Sequence, residues 1–197
     1  MAAWLLTLAV FAGLSMNLVL QLGVGVREIA LGADAPERPA EGPLAARLLA
    51  FLAPVLLLWL AFSLARSLVP LGFAEYLLVF PVSFAASSAL GRLLARVSAG
   101  GDGARGGSLA GGASVGAALF VALAVAGGFA EALALSVGFA LGSLLAGAIA
   151  AEIRKRAETE AVPRWLRGAP LALVSLGLLS LVFYSVAAVF FEALGNG

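Results

Sequence analysis

Few side chains in this sequence could do chemistry, and their types narrow it at once. None of the 197 residues is Cys or His. Disulfides, thiolate and imidazole chemistry, and the usual ligands of zinc, haem iron and iron–sulfur clusters are therefore missing from the chain. What remains is a small set of polar groups inside apolar runs. Asn17 and Gln21 are four apart and share a face if their segment is helical. In hydrocarbon an amide needs a partner, so that face should meet protein, either as glue between helices or as the lining of a site. Glu75 and Glu131 fall near the outer ends of apolar segments, where solvation is expected; placed deeper, they become groups for a cation pathway. Pro81 is followed by Ser83, Ser87 and Ser88, a pattern for a kinked helix whose hydroxyls satisfy a freed carbonyl.

Glycine marks further positions. Gly23 and Gly25 end the first apolar segment, Gly111 and Gly112 open the fourth, and Gly116 follows one turn on. Clusters of this kind at membrane depth signal either a helix break or close backbone approach. Breaks in corresponding helices of two halves point to an inverted repeat with a site at the midplane. The candidates for such a site are Asn17, Gln21, Gly23, Gly111, Ser114 and Gly116. Gly138, Gly142 and Ala146 are spaced by four, which instead reads as small-residue helix packing.

The elements that must position these residues are membrane spans. The chain is 62% hydrophobic and 12% charged, with mean hydropathy +1.08, against about 45–50% and about 25% in soluble domains. About 20 apolar residues suffice to cross the hydrocarbon, and six segments qualify: 4–24, 47–68, 72–91, 109–127, 130–151 and 170–191. The expected fold is all-α, a single six-helix membrane domain over 1–197. Its first repeat covers about 1–97, a Gly/Ser linker 98–108, and the second repeat about 109–197. The very short connections near 69–72 and 127–130 make helices 2 and 3, and helices 4 and 5, antiparallel hairpins. The first segment lacks the positive charge that precedes the core of a signal peptide, so it is read as a span.

Eleven of the twelve Lys and Arg residues fall in the connections after helices 1, 3 and 5, and only Arg66 falls on the opposite side. By the positive-inside rule those three connections face the cytoplasm and both termini face outward. Trp4 and Trp165 suit the interfacial belts. The basic residues are thereby read as topology signals, with no nucleic-acid partner implied. The stretch GDGARGG lacks the Lys-Ser/Thr and the preceding strand of a phosphate loop, and is read as a linker.

The basic hairpin before helix 6 carries a family resemblance. Ile153-Arg154-Lys155-Arg156, Val162-Pro163, Leu166-Arg167-Gly168 and Gly177-Leu178-Leu179 resemble the connection between helices 5 and 6 in the A subunit of the Rnf electron-transport complex. The E subunit of the sodium-translocating NADH:quinone reductase is similar. The glycine-spaced stretch 138–154 resembles the family's fifth helix, and residues 17–23 its first-helix motif. The resemblance is specific over 138–181 and loose over 26–110. It implies a multi-pass subunit of the bacterial cytoplasmic (inner) membrane, with membrane subunits as partners, a homologous sister of inverted topology among them. In the family, two cysteines from each sister hold a two-iron cluster at mid-membrane. The corresponding positions here are Gly25 and Gly112, which have no side chain to ligate iron, so no cofactor is expected in this chain. Three functions compete: a non-catalytic subunit of an Rnf/Nqr-like, ion-translocating electron-transport complex; a redox-inert relative acting as a small transporter or as a scaffold in another membrane complex; and an unrelated six-helix transporter, since the composition alone fits many polytopic proteins.

Overall fold

The computed structural model describes residues 2–20, 44–68, 72, 74–97, 112–159, 163, 166 and 169–195. Each of the six expected segments contains one helix: α1 (Ala2–Val10, continuing π-wound over Phe11–Ser15), α2 (Leu44–Leu68), α3 (Ala74–Val97), α4 (Gly112–Val125), α5 (Phe129–Thr159) and α6 (Ala169–Gly195). There is no strand among the described residues, so the fold is all-α. The two tight connections fall where glycine allows them. Gly72 has φ +51°, a conformation that side chains disfavour, between α2 and α3. Gly127 and Gly128 separate α4 from α5.

Three helices are long and apolar enough to cross a membrane, over residues Leu48–Leu68, Phe129–Ala157 and Pro170–Val189. Their outward faces are aliphatic: Leu57, Leu60 and Leu64 on α2, Leu141 and Leu145 on α5, Leu178, Leu181 and Val182 on α6. So continuous an apolar exterior suits lipid and not water. By contrast α1 with its π-wound end has 14 residues, about 21 Å at 1.5 Å per residue, which is less than the hydrocarbon thickness; the described part of α4 is also 14 residues.

Helix 1 is thus a correction to the expected span 4–24. It stops at Ser15, and residues 16–20 are buried or half-buried non-helical chain. The break anticipated near residues 23–25 comes earlier. There is no glycine or proline between Leu14 and Leu22, so the stop has another cause, found at Asn17 below.

α5 is the centre of the bundle, in contact with α1, α2, α4 and α6. The spacing of Gly138, Gly142 and Ala146 does what it implies. Gly138 lies against the carbonyl oxygen of Ala9 and the methyl of Ala12, and Gly142 against the backbone of Gly13. Ala146 is fully buried in a cluster with Val19, Leu20, Leu176 and Phe183. Two small-residue tracks, Ala9-x-x-x-Gly13 and Gly138-x-x-x-Gly142, therefore let α1 and α5 touch backbone to backbone.

The contacts have a pattern. α1 packs on α5 as α4 packs on α2; the π-wound end of α1 meets α6 as α4 meets α3; and α2 meets α3 as α5 meets α6. The α4–α5 contact is the one without an equally extensive counterpart. A second cluster joins Trp59 and Phe62 of α2, Val79 of α3, Leu119 and Leu123 of α4 and Ala132 of α5, so α3 and α5 begin at the same end of the bundle.

Candidate functional site

From that common end, the inner end of α1 and the start of α4 lie at similar depth. Gly13 and Asn17 are level with Gly142, thirteen residues into α5, or about 20 Å. Gly112 is level with Phe84 and Ser87, ten to thirteen residues into α3, or about 15–20 Å. The stop of α1 and the first described residue of α4 therefore lie at similar depth in the middle of the bundle.

The α1 end is built around Asn17, which is fully buried. Its Nδ2 donates to the Gly13 carbonyl at 2.9 Å, and its Oδ1 accepts from the N–H of Val19 at 3.0 Å and of Leu20 at 3.1 Å. The Met16 N–H reaches back to the Phe11 carbonyl at 3.0 Å, which closes the π turn. Non-helical backbone at this depth is tolerated only if its polar groups are met inside the protein. Here one side-chain amide meets three of them. This corrects the reading of Asn17 and Gln21 as one helical face: Asn17 lies beyond the helix, and its bonds are local and not between helices. Gln21, Gly23, Gly25 and Gly111 lie outside the described residues.

At the α4 end, close packing fills the space. A Cβ on Gly112 would come within 2.8 Å of the Phe84 ring and 2.9 Å of Ser87 Oγ, and one on Gly116 within 2.6 Å of Ser83 Oγ. Ser83, fully buried, donates to the Phe80 carbonyl at 2.9 Å, with its Oγ 3.5 Å from the Gly112 carbonyl. Ser114 is half-buried in the first turn of α4. The serines after Pro81 bind the carbonyls of Phe80, Phe84 and Ala85, and not that of Leu77, which the proline frees. An iron–sulfur cluster does not fit the residues present: Gly112 offers no ligand atom, and a side chain there would have to displace Phe84. Among the described residues no group of three or more His, Cys, Asp or Glu could hold a metal ion.

Set against protein families, curated proteins and solved structures, the chain gives no match. Function has to be read from the residues themselves.

The two carboxylates belong to the end of the bundle at which α3 and α5 begin. Glu75 was expected in solvent, and the structure corrects this. It is 2% exposed and held bidentately by Arg66, with Nε to Oε2 at 3.0 Å and Nη2 to Oε1 at 2.9 Å. The hairpin at Gly72 brings the C-terminal turn of α2 against the first turn of α3, so a buried carboxylate is matched by a half-exposed guanidinium. Glu131 is half-buried and also engaged. Its Oε2 accepts from the Gly127 N–H at 2.8 Å, and its Oε1 from Trp4 Nε1 at 3.1 Å. As the third residue of α5 it stands where a carboxylate can reach back over a helix start, favoured by the helix dipole. Replacing Glu131 with Ala should therefore lower stability by about 1–2 kcal/mol. Trp4→Phe should cost less, because the cap on Gly127 survives. Thermal melts of the two variants check this order. The sequence missed Arg66 and Trp4 as their partners, although opposite charges on either side of a tight hairpin were a usable signal.

Proposed function

We propose that the chain is an integral subunit of an ion-translocating electron-transport complex of the Rnf/Nqr kind, in the bacterial inner membrane, contributing no iron–sulfur ligand of its own. The observation that carries this reading is that α1 stops at Ser15 at the same depth in the bundle as the first described residues of α4. The two helices occupy corresponding places in the two three-helix halves, as an inverted repeat requires. The contact pattern supports the same symmetry, since exchanging helices 1, 2 and 3 for 4, 5 and 6 returns most of the helix pairs. Gly112, the residue aligned with a family cysteine, stands at the head of α4. The basic hairpin and the motifs over 138–181 supply the family. In this reading the chain holds its sister subunit and lipid in place while electrons pass through other subunits' ligands.

One observation favours the second reading, a redox-inert scaffold or small transporter. At Gly112 and Gly116 the described start of α4 packs so closely against Phe80, Ser83, Phe84 and Ser87 that a side chain there would clash. Affinity purification from native membranes separates the two. Co-purifying redox subunits and a sister of inverted topology support the first, and other partners, or none, support the second. Orientation is tested by reporter fusions at Gly103 and at the C-terminus. The Lys/Arg distribution places Gly103 inside and the C-terminus outside, and two reporters on the same side would refute that topology.

A further inference from the structure

We propose that the face of α5 that ends in Lys155 binds one anionic phospholipid, with the lipid phosphate on Lys155 and an acyl chain along the helix below it. The inference needs only membrane embedding. It rests neither on the redox reading nor on which way the chain faces.

Length sets the level. From Ala132 to Ala151, α5 carries no charged residue. As helix this stretch rises about 30 Å, the thickness of the hydrocarbon. Charge begins at Glu152, and the helix runs on to Thr159, about 12 Å further. Lys155 is one turn past Ala151, about 6 Å, and so stands in the headgroup layer, which adds about 5–7 Å on each side. Packing changes at the same place: Ala150 is still buried in a cluster with Leu176, whereas Glu152, Lys155 and Arg156 are exposed.

Charge and shape agree with that level. Arg154, Lys155 and Arg156 are consecutive on the helix, and the Arg156 Nε donates to Glu152 Oε1 at 3.1 Å, four residues back. Basic clusters immediately beyond a membrane helix attract anionic headgroups. Residues 141, 144, 148, 151 and 155 are spaced by three and four, so they form one stripe along α5. Leu141, Ala148 and Ala151 in this stripe are exposed, and Leu144 is half-buried. Its inner part is leucine, but directly below Lys155 it holds only alanine. Gly147, next to Leu144 and Ala151 on the helix surface, has nothing within 4 Å of the place of a Cβ. The stripe is therefore shallow where the upper acyl chain of a lipid would lie and positive where its phosphate would. The lysine stem can rest on the apolar stripe while its ammonium stays among the headgroups. A lipid is favoured over an acidic protein because the charge stands at headgroup level at the end of an exposed apolar stripe.

The test titrates the full chain, purified in mild detergent, with dioleoyl phosphatidylglycerol or dioleoyl phosphatidylcholine, and native mass spectrometry reads the first lipid bound. Phosphatidylglycerol should bind more tightly than phosphatidylcholine. Lys155→Gln should weaken phosphatidylglycerol binding about fivefold, the factor equivalent to about 1 kcal/mol for one basic residue, and leave phosphatidylcholine unchanged. Lys155→Arg should stay with wild type. Ala151→Leu adds bulk to the stripe without touching charge and should also weaken phosphatidylglycerol binding. Arg96→Gln, near the end of α3, removes an equal charge and should have no effect. Equal affinity for the two lipids would overturn the proposal and leave the basic turns to an acidic protein partner. The same loss in Arg96→Gln would overturn it in favour of diffuse charge, as would unchanged binding in Lys155→Gln or Ala151→Leu. Displacement of the lipid by millimolar inorganic phosphate at constant ionic strength would show a site for a free anion and not for a lipid.

Discussion

Gly142→Leu is expected to unseat α1 and leave little folded protein. A Cβ at this position would overlap the Gly13 carbonyl oxygen and approach Gly13 Cα at 2.8 Å and Asn17 Nδ2 at 2.9 Å. Two of these three neighbours are backbone, which cannot rotate aside. Overpacking in a tight interior costs about 1–3 kcal/mol, and occasionally more. Displacing Asn17 adds the loss of three buried hydrogen bonds, at about 1 kcal/mol each. Gly147→Leu and Gly177→Leu make the internal comparison, because nothing lies within 4 Å of a Cβ at either position. Fluorescence-detected gel filtration after heating should show the Gly142 variant lost at temperatures that both comparison variants survive. Equal melting of all three would show that α1 does not rest on this track.

Arg66→Ala should be more damaging than Glu75→Ala, although both break the same ion pair. The side chains are unequally placed: Glu75 is 3% exposed and Arg66 51%. Removing arginine strands a buried carboxylate, whereas removing glutamate leaves a guanidinium that can turn to water. Breaking a fully buried pair costs about 3–5 kcal/mol. With Arg66 half in solvent, about 2 kcal/mol is expected for Arg66→Ala and 1 kcal/mol or less for Glu75→Ala. The double variant Arg66→Leu/Glu75→Leu should recover most of the loss, since no charge is left to desolvate. Melting temperatures of the three variants check the order, and an equal cost for the two single variants would contradict it.

Hydropathy made the six helices legible because apolar length is nearly all that a membrane span requires. The α1–α5 contact was legible in part: the spacing of Gly138, Gly142 and Ala146 announced a packing face, but not which helix would fill it. The stop in helix 1 was not legible from apolar length, because residues 17–24 stay largely apolar apart from Asn17 and Gln21. Asn17 was the available signal. Asparagine is a strong helix-capping residue and a weak helix former, yet it was weighed as a partner for another helix and not as a terminator of its own. Glu75 was misplaced for a related reason. Judged alone, a carboxylate near a helix end belongs in water; judged with Arg66 across a five-residue connection, it can be buried. Glu131 sat at a capping position three residues past Gly128, and that spacing was readable.

Depth offers the most direct measurement, because the proposed inverted repeat requires the stop of α1 and the start of α4 to share one level in the membrane. The chain has no native cysteine, so Ser15→Cys and Ala113→Cys each provide a single attachment point for a nitroxide. In bilayers, the relative accessibility of each label to oxygen and to a water-soluble nickel chelate reports its depth. Both labels should lie in the hydrocarbon interior, within about one helical turn, roughly 5 Å, of each other. A label at headgroup level at either position, or a separation in depth of two turns or more, would contradict the shared mid-membrane level of α1 and α4.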